Sequence, residues 1–240
     1  MKQSISVLVL ILVFMAGGAR AETKDGKEVE GLSEEAWEWI IKGMRVKEEN
    51  YDEIIQCYKK AAIIDPSSAL PYRFLGIAYL KEGMFDKAIS AYRKAVIIEP
   101  NDAAMHYNLG IIYDKKGMLD EAISAYKKAI TIDIDHTKAR FNLGLSYLKK
   151  GMLDAAISEH KEVISLDPND ADAHFNLGTA YGIKGLDTLE ANHLYEAGVI
   201  YLKQGDRESA LEAYESLKVI KSKEPAQALF EQLHLERQSR

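Results

Sequence analysis

The stretch Ala103 to His136 reads AAMHYNLGIIYDKKGMLDEAISAYKKAITIDIDH, and nearly the same residues stand on both sides of it at a spacing of 34. In its first half Tyr107, Leu109, Gly110 and Tyr113 recur at near-helical intervals. Ala122, Ile123, Tyr126, Ala129 and Ile130 do so in its second half. Each half therefore predicts an amphipathic helix. Gly117 falls between them, where a residue free to take a left-handed conformation ends the first helix, and Asp120 and Glu121 place negative charge in the first turn of the second. The small residues Gly110, Ala122 and Ala129 allow close approach of the two helices, and Tyr113 and Tyr126 fill the space between them. A single hairpin of this size cannot bury its apolar faces and requires neighbours on both sides.

Those neighbours are present. Ala69 to Asp102 and Thr137 to Asp170 repeat the pattern, with Leu75-Gly76, Leu109-Gly110 and Leu143-Gly144 matched, as are Tyr79, Tyr113 and Tyr147, Gly83, Gly117 and Gly151, and Ala88, Ala122 and Ala156. Pro100 and Pro168 stop their second helices, and Asn101-Asp102 and Asn169-Asp170 stand ready to cap the next. Two departures are visible: Ile134 replaces the terminating proline, and His160 replaces the aromatic residue found at Tyr92 and Tyr126. A 34-residue helix-turn-helix period with these residues closely resembles the tetratricopeptide repeat (TPR) family. The resemblance implies an all-α, right-handed superhelical solenoid of about five to six repeats, finished by a C-terminal capping helix.

Taken in order, the chain divides into an N-terminal leader at 1–21, a charged flexible segment at 22–34, a repeat array at 35–224 and a capping helix and tail at 225–240. Within the array the repeats fall at about 35–68, 69–102, 103–136, 137–170, 171–190 (truncated) and 191–224. The leader has Lys2, an apolar run from Ile5 to Met15 and the small residues Ala19 and Ala21, the three-part pattern of a secretory signal cleaved after Ala21. The apolar run is shorter than the roughly 20 residues a spanning helix needs; an uncleaved leader serving as an anchor is the alternative. The expected destination is the periplasm, or secretion. The first repeat is degenerate, with Trp39, Gly43, Val46, Tyr58, Ala61 and Pro66 in place but no glycine at the Glu49-Asn50 turn, as befits a terminal repeat. After Gly185 two registers overlap. Ala191, Tyr195 and Gly198 suit a second helix, whereas Leu194, Ala197-Gly198 and Tyr201 suit the first helix of a repeat that continues through Gly205, Ala210 and Tyr214. One long helix over roughly 187–204 would serve both. Pro225 then opens a final helix whose stripe is Ala226, Leu229, Phe230 and Leu233.

Composition narrows the functions. Loss of residues 1–21 removes Lys2 and Arg20 and leaves 29 basic against 37 acidic residues, a net charge of −8. That balance gives no electrostatic footprint for nucleic acid. Cys57 is the only cysteine, so no internal disulfide forms, and its position in a second helix predicts a small buried apolar side chain, pairing with another chain being the alternative. No phosphate loop occurs. The six histidines, His106, His136, His160, His174, His193 and His234, show no metal-ligand spacing to one another or to the cysteine. The expectation is a chain with no enzymatic activity, no metal and no cofactor.

The TPR resemblance implies instead that first helices line a concave groove for extended peptides. By position the lining would include Arg73, then Tyr107, Asn108, Ile111 and Lys115, then Phe141, Asn142, Leu145 and Lys149, then Phe175, Asn176 and Thr179. Asn108, Asn142 and Asn176 recur every 34 residues and would form a ladder able to pair with peptide units of any sequence; the arrangement resembles the Asn ladder of O-linked N-acetylglucosamine transferases. The carboxylate clamp of heat-shock co-chaperones is matched by Arg73, Asn108 and Lys138 but not by Ile77 and Asn142. Lys81, Lys115, Lys116, Lys149, Lys150 and Lys203 form a basic rim whose first role is to complement helix C-termini. The expected function is an adaptor in the cell envelope that binds other proteins or peptides. A self-associating scaffold and an accessory subunit that recruits an enzyme are the alternatives.

Overall fold

The computed structural model describes residues 32–47, 50–220 and 223–238; the expected leader, its cleavage after Ala21 and nearly all of the charged segment lie outside them. Among the described residues the fold is all-α, with twelve helices and no strand. The chain divides into two compact units between Met105 and His106.

The first unit holds two hairpins. Helices α1 (Glu34–Arg45) and α2 (Tyr51–Ile64) form one, and α3 (Ala69–Lys81) and α4 (Phe85–Ile98) the other. Side chains close the helix starts: the Ser33 hydroxyl accepts from the Ala36 N–H, and the Asn50 carbonyl from that of Glu53, which satisfies N–H groups that have no partner within the helix. Close approach follows from glycine. A Cβ on Gly76 would stand 2.4 Å from the ring of Tyr92, and one on Gly43 2.5 Å from that of Tyr58. Cys57 is 2% exposed on α2, and burial raises its thiol pKa, in keeping with the apolar role expected for it.

The second unit begins inside α5 (Ala103–Lys115) and continues through α6 (Leu119–Ile132), α7 (Thr137–Lys149), α8 (Leu153–Leu166), α9 (Ala171–Ile183), α10 (Asp187–Gln204), α11 (Arg207–Lys218) and α12 (Lys223–Gln238). Gly117 has φ +73° between α5 and α6, the left-handed conformation that ends a helix at no steric cost to glycine. The start of α7 lacks both the usual proline and the usual Asp. There the His136 Nδ1 accepts from the Ala139 N–H, and the Arg140 guanidinium donates to the Ile134 carbonyl at 3.0 Å. Two side chains thus do the work that Pro168 and Asp170 do one repeat later, where the Asp170 carboxylate accepts from the Ala173 N–H.

Helix α10 is a single 18-residue helix ended by Gly205 in the left-handed conformation. Its Gly178-facing residue is Leu194, and its own Gly198 meets Leu229 of α12 instead of a residue of α11. The final helix therefore packs on both α10 and α11, with Ala226, Leu229 and Leu233 buried in one cluster with Leu194, Tyr201 and Leu217. The α12 helix starts at Lys223, two residues before Pro225. A proline in that first turn costs nothing, because its missing N–H would have no helical partner there. None of the helices among the described residues is long and apolar enough to cross a membrane.

Candidate functional site

Three consecutive first helices of the second unit contribute to one cleft of about 180 Å³, lined by Tyr107 from α5, Thr137, Lys138, Phe141 and Asn142 from α7, and Asp170 and Asp172 at the start of α9. Period 34 places these helices side by side, so residues one repeat apart meet across the cleft. The Asn142 amide donates to the Tyr107 hydroxyl at 3.4 Å. The Tyr107 ring stands 4.9 Å from that of His136 and 6.0 Å from that of Tyr126, and burial raises its phenol pKa against the effect of the Asn142 bond. Phe141 meets the His160 ring edge-on at 5.5 Å.

The three asparagines of the expected ladder are not equivalent. Asn142 reaches Tyr107, but the residue in the matching place before Asn176 is Phe141, which has no hydroxyl. Asn176 turns to its own helix and donates to the Asp172 carbonyl at 2.8 Å. Asn108 is half-buried and makes no side-chain hydrogen bond among the described residues. Thr179 likewise bonds back, to the Phe175 carbonyl at 3.0 Å.

Of the residues assigned to the groove from sequence, Tyr107, Phe141 and Asn142 come together in the cleft. Ile111 and Leu145 are half-buried on the same helices, and Lys115 is exposed at the end of α5. Phe175 packs against the C-terminal core. Arg73 belongs to the first unit, where it pairs with Asp102 at 3.6 Å. Lys149 binds both oxygens of Asp114 at 2.7 Å. Elsewhere on the basic rim Lys150 pairs with Asp120, and outside the rim the Lys184 ammonium bonds Asp154 of the preceding repeat. Partnered lysines offer little charge to a ligand. Thr137, Asp170 and Asp172 are missed by reasoning from single repeats, although a spacing could have found such contacts: Tyr107 to Asn142 and Asp114 to Lys149 are both 35 residues apart.

The histidines make one contact that the sequence does not announce. Spacing shows no pair, yet His174 and His193 bring their Nδ1 atoms to 3.2 Å. One ring must be the donor and the other the acceptor, so at least one stays neutral. Burial lowers both pKa values, that of His193 to about 4, with the charges of His174 and Lys161 acting in the same direction. Among the described residues no group of three or more His, Cys, Asp or Glu stands close enough to hold a metal ion.

Comparison with known proteins matches the geometry. Family models described as tetratricopeptide repeat match residues 103–136 and 194–219, and one described as TPR repeat matches 78–117 and 146–185. No curated protein sequence matches significantly. Among solved structures, one of MamA is 29% identical with TM-score 0.64, covering 65% of this chain and 92% of that one. YrrB, described as a TPR protein with an unusual peptide-binding site, is 28% identical with TM-score 0.65, covering 75% and 92%. Pseudomonas aeruginosa PilF, at 19% identity and TM-score 0.57 over 84% and 97%, shares the fold.

Proposed function

For a chain that carries tetratricopeptide repeats, we propose the function of a non-catalytic adaptor, exported to the cell envelope, that binds extended segments of other proteins along its first helices. The observation that carries this reading is the cleft to which α5, α7 and α9 all contribute. Asn142 keeps its carbonyl oxygen and one N–H for a peptide unit while bonded to Tyr107, and the adjacent rings supply apolar contact. The peptide-binding site named for YrrB supports the same use of the fold. Export rests on the leader, and mass spectrometry of the purified envelope protein tests it: the mature chain should begin at Glu22. A chain retaining Met1 would mean an anchor or no export.

The binding reading is tested by cross-linking in cells and pull-down with the wild type and with Asn108, Asn142 and Asn176 all changed to Ala. Partners should vanish with the variant while its helical content persists; partners that remain would move the site away from these helices. A second reading, self-association, is favoured by Ile63 and Ile97, each 78% exposed and 34 residues apart at the same repeat position in the first unit. Concentration-dependent sedimentation lost in an Ile63→Ser, Ile97→Ser variant would establish it.

A further inference from the structure

The cleft carries a charge pattern that selects among peptides. Asp170 and Asp172 line it, and among the described residues neither carboxylate is in an ion pair. Asp170 is committed to the Ala173 N–H through one oxygen, and Asp172 accepts from the Tyr201 hydroxyl through one oxygen, so each keeps the other for a ligand. Lys138 is the single cation of the lining and is exposed. Two carboxylates against one ammonium leave the cleft net negative, and the two aromatic side chains of its lining, Tyr107 and Phe141, offer apolar contact to the stem of a long side chain. Its volume of about 180 Å³ is below the roughly 300 Å³ where sites for small organic ligands begin, which suits one long side chain. Burial raises the Asp170 carboxyl against the pull of the Ala173 N–H; the charges of Asp172 and Asp167 push in the direction of burial and that of His174 against it.

Resting on the peptide-binding reading above, we propose that this cleft between Tyr107, Phe141, Asp170 and Asp172 is a subsite for a basic side chain of the bound segment, arginine before lysine. A planar guanidinium can lie on a ring and still direct its N–H groups to two carboxylates, which an ammonium cannot do. Repulsion from the same carboxylates excludes an acidic residue at that place.

The test uses the full mature chain and blocked, fluorescently labelled ten-residue Gly/Ser peptides that differ only in a central Arg, Lys, Ala or Glu. Anisotropy should show the Arg peptide binding at least about tenfold more tightly than the Ala peptide, Lys between them and Glu weakest, with the Arg advantage shrinking as salt rises. D170N/D172N should erase the difference between Arg and Ala, since Asn retains the cap and the acceptor for Tyr201 but no charge. Lys138→Ala should tighten the Arg peptide. Preference for Glu that disappears in Lys138→Ala overturns the proposal and makes the cleft an anion subsite. Equal binding of all four peptides overturns it and leaves the groove reading intact, whereas absence of binding by any of them removes both.

Discussion

The hairpins α5–α6 and α7–α8 share one backbone design and differ in the ring at its centre. Tyr126 lies over Gly110, and a Cβ there would stand 2.5 Å from the ring; His160 lies over Gly144, where it would stand 2.7 Å away. Both rings are almost wholly buried. In these two hairpins the glycine leaves room for a flat ring whose polarity can change, and Leu194 over Gly178 shows that a branched aliphatic side chain can take the same place. Tolerance has a cost, because both ring nitrogens of His160 lack a hydrogen-bond partner among the described residues, and a buried polar group left unpaired costs about 1 to 3 kcal/mol.

The largest way to expose that difference is pH. Burial lowers the His160 pKa to about 4, below the ordinary value of about 6.5 for an unfolded chain. Between these values the unfolded state binds the proton and the folded state does not. Stability therefore falls as pH drops from about 6.5 to about 4 and levels off below, by on the order of 3 kcal/mol from this residue. His193 and His174, both lowered, add losses of the same sign. Urea unfolding followed across that range should show the decline, and His160→Tyr should remove the His160 share while leaving that of the His174–His193 pair. An unchanged pH profile in the variant would mean His160 is hydrated or paired in solution.

At fixed neutral pH the shared glycine is the next lever. Gly110→Leu and Gly144→Leu should each destabilise by about 1 to 3 kcal/mol through overpacking, measured by thermal unfolding. A much smaller effect at Gly144 would show that the imidazole yields where the phenol does not. A smaller change still is expected from His160→Phe at neutral pH, a stabilisation of about 1 kcal/mol as the unpaired nitrogens disappear. Lys149→Ala should alter stability by at most about 1 kcal/mol, since exposed ion pairs contribute little, even though it breaks the bridge to Asp114.

These hairpins also show what a sequence discloses. The 34-residue period, the left-handed Gly117 and the ring-over-glycine pairing are set by local chemistry, so the repeat pattern announces them. The unbroken α10 was readable too, because two registers overlapped in one apolar stripe. Contacts between repeats were harder. Whether Asn142 turns to Tyr107 and Asn176 to its own helix depends on a hydroxyl present at position 107 and absent at 141, one repeat away. His174 and His193 meet because α9 and α10 pack face to face, and no spacing rule for metal ligands anticipates two rings meeting at 3.2 Å. Asp170 and Asp172 join the cleft through the start of a helix, where the repeat consensus speaks of capping alone.

The shared helix α10 has a consequence for how this chain can lengthen or shorten. In a regular array a hairpin can be duplicated or deleted as a module, because its neighbours present the same two faces afterwards. Here Leu194 serves the hairpin before it and Gly198 the helix after it within one 18-residue rod. No cut inside that rod leaves two whole modules. Adding or removing a whole hairpin without breaking a packed helix is therefore open only to the hairpins upstream of α9.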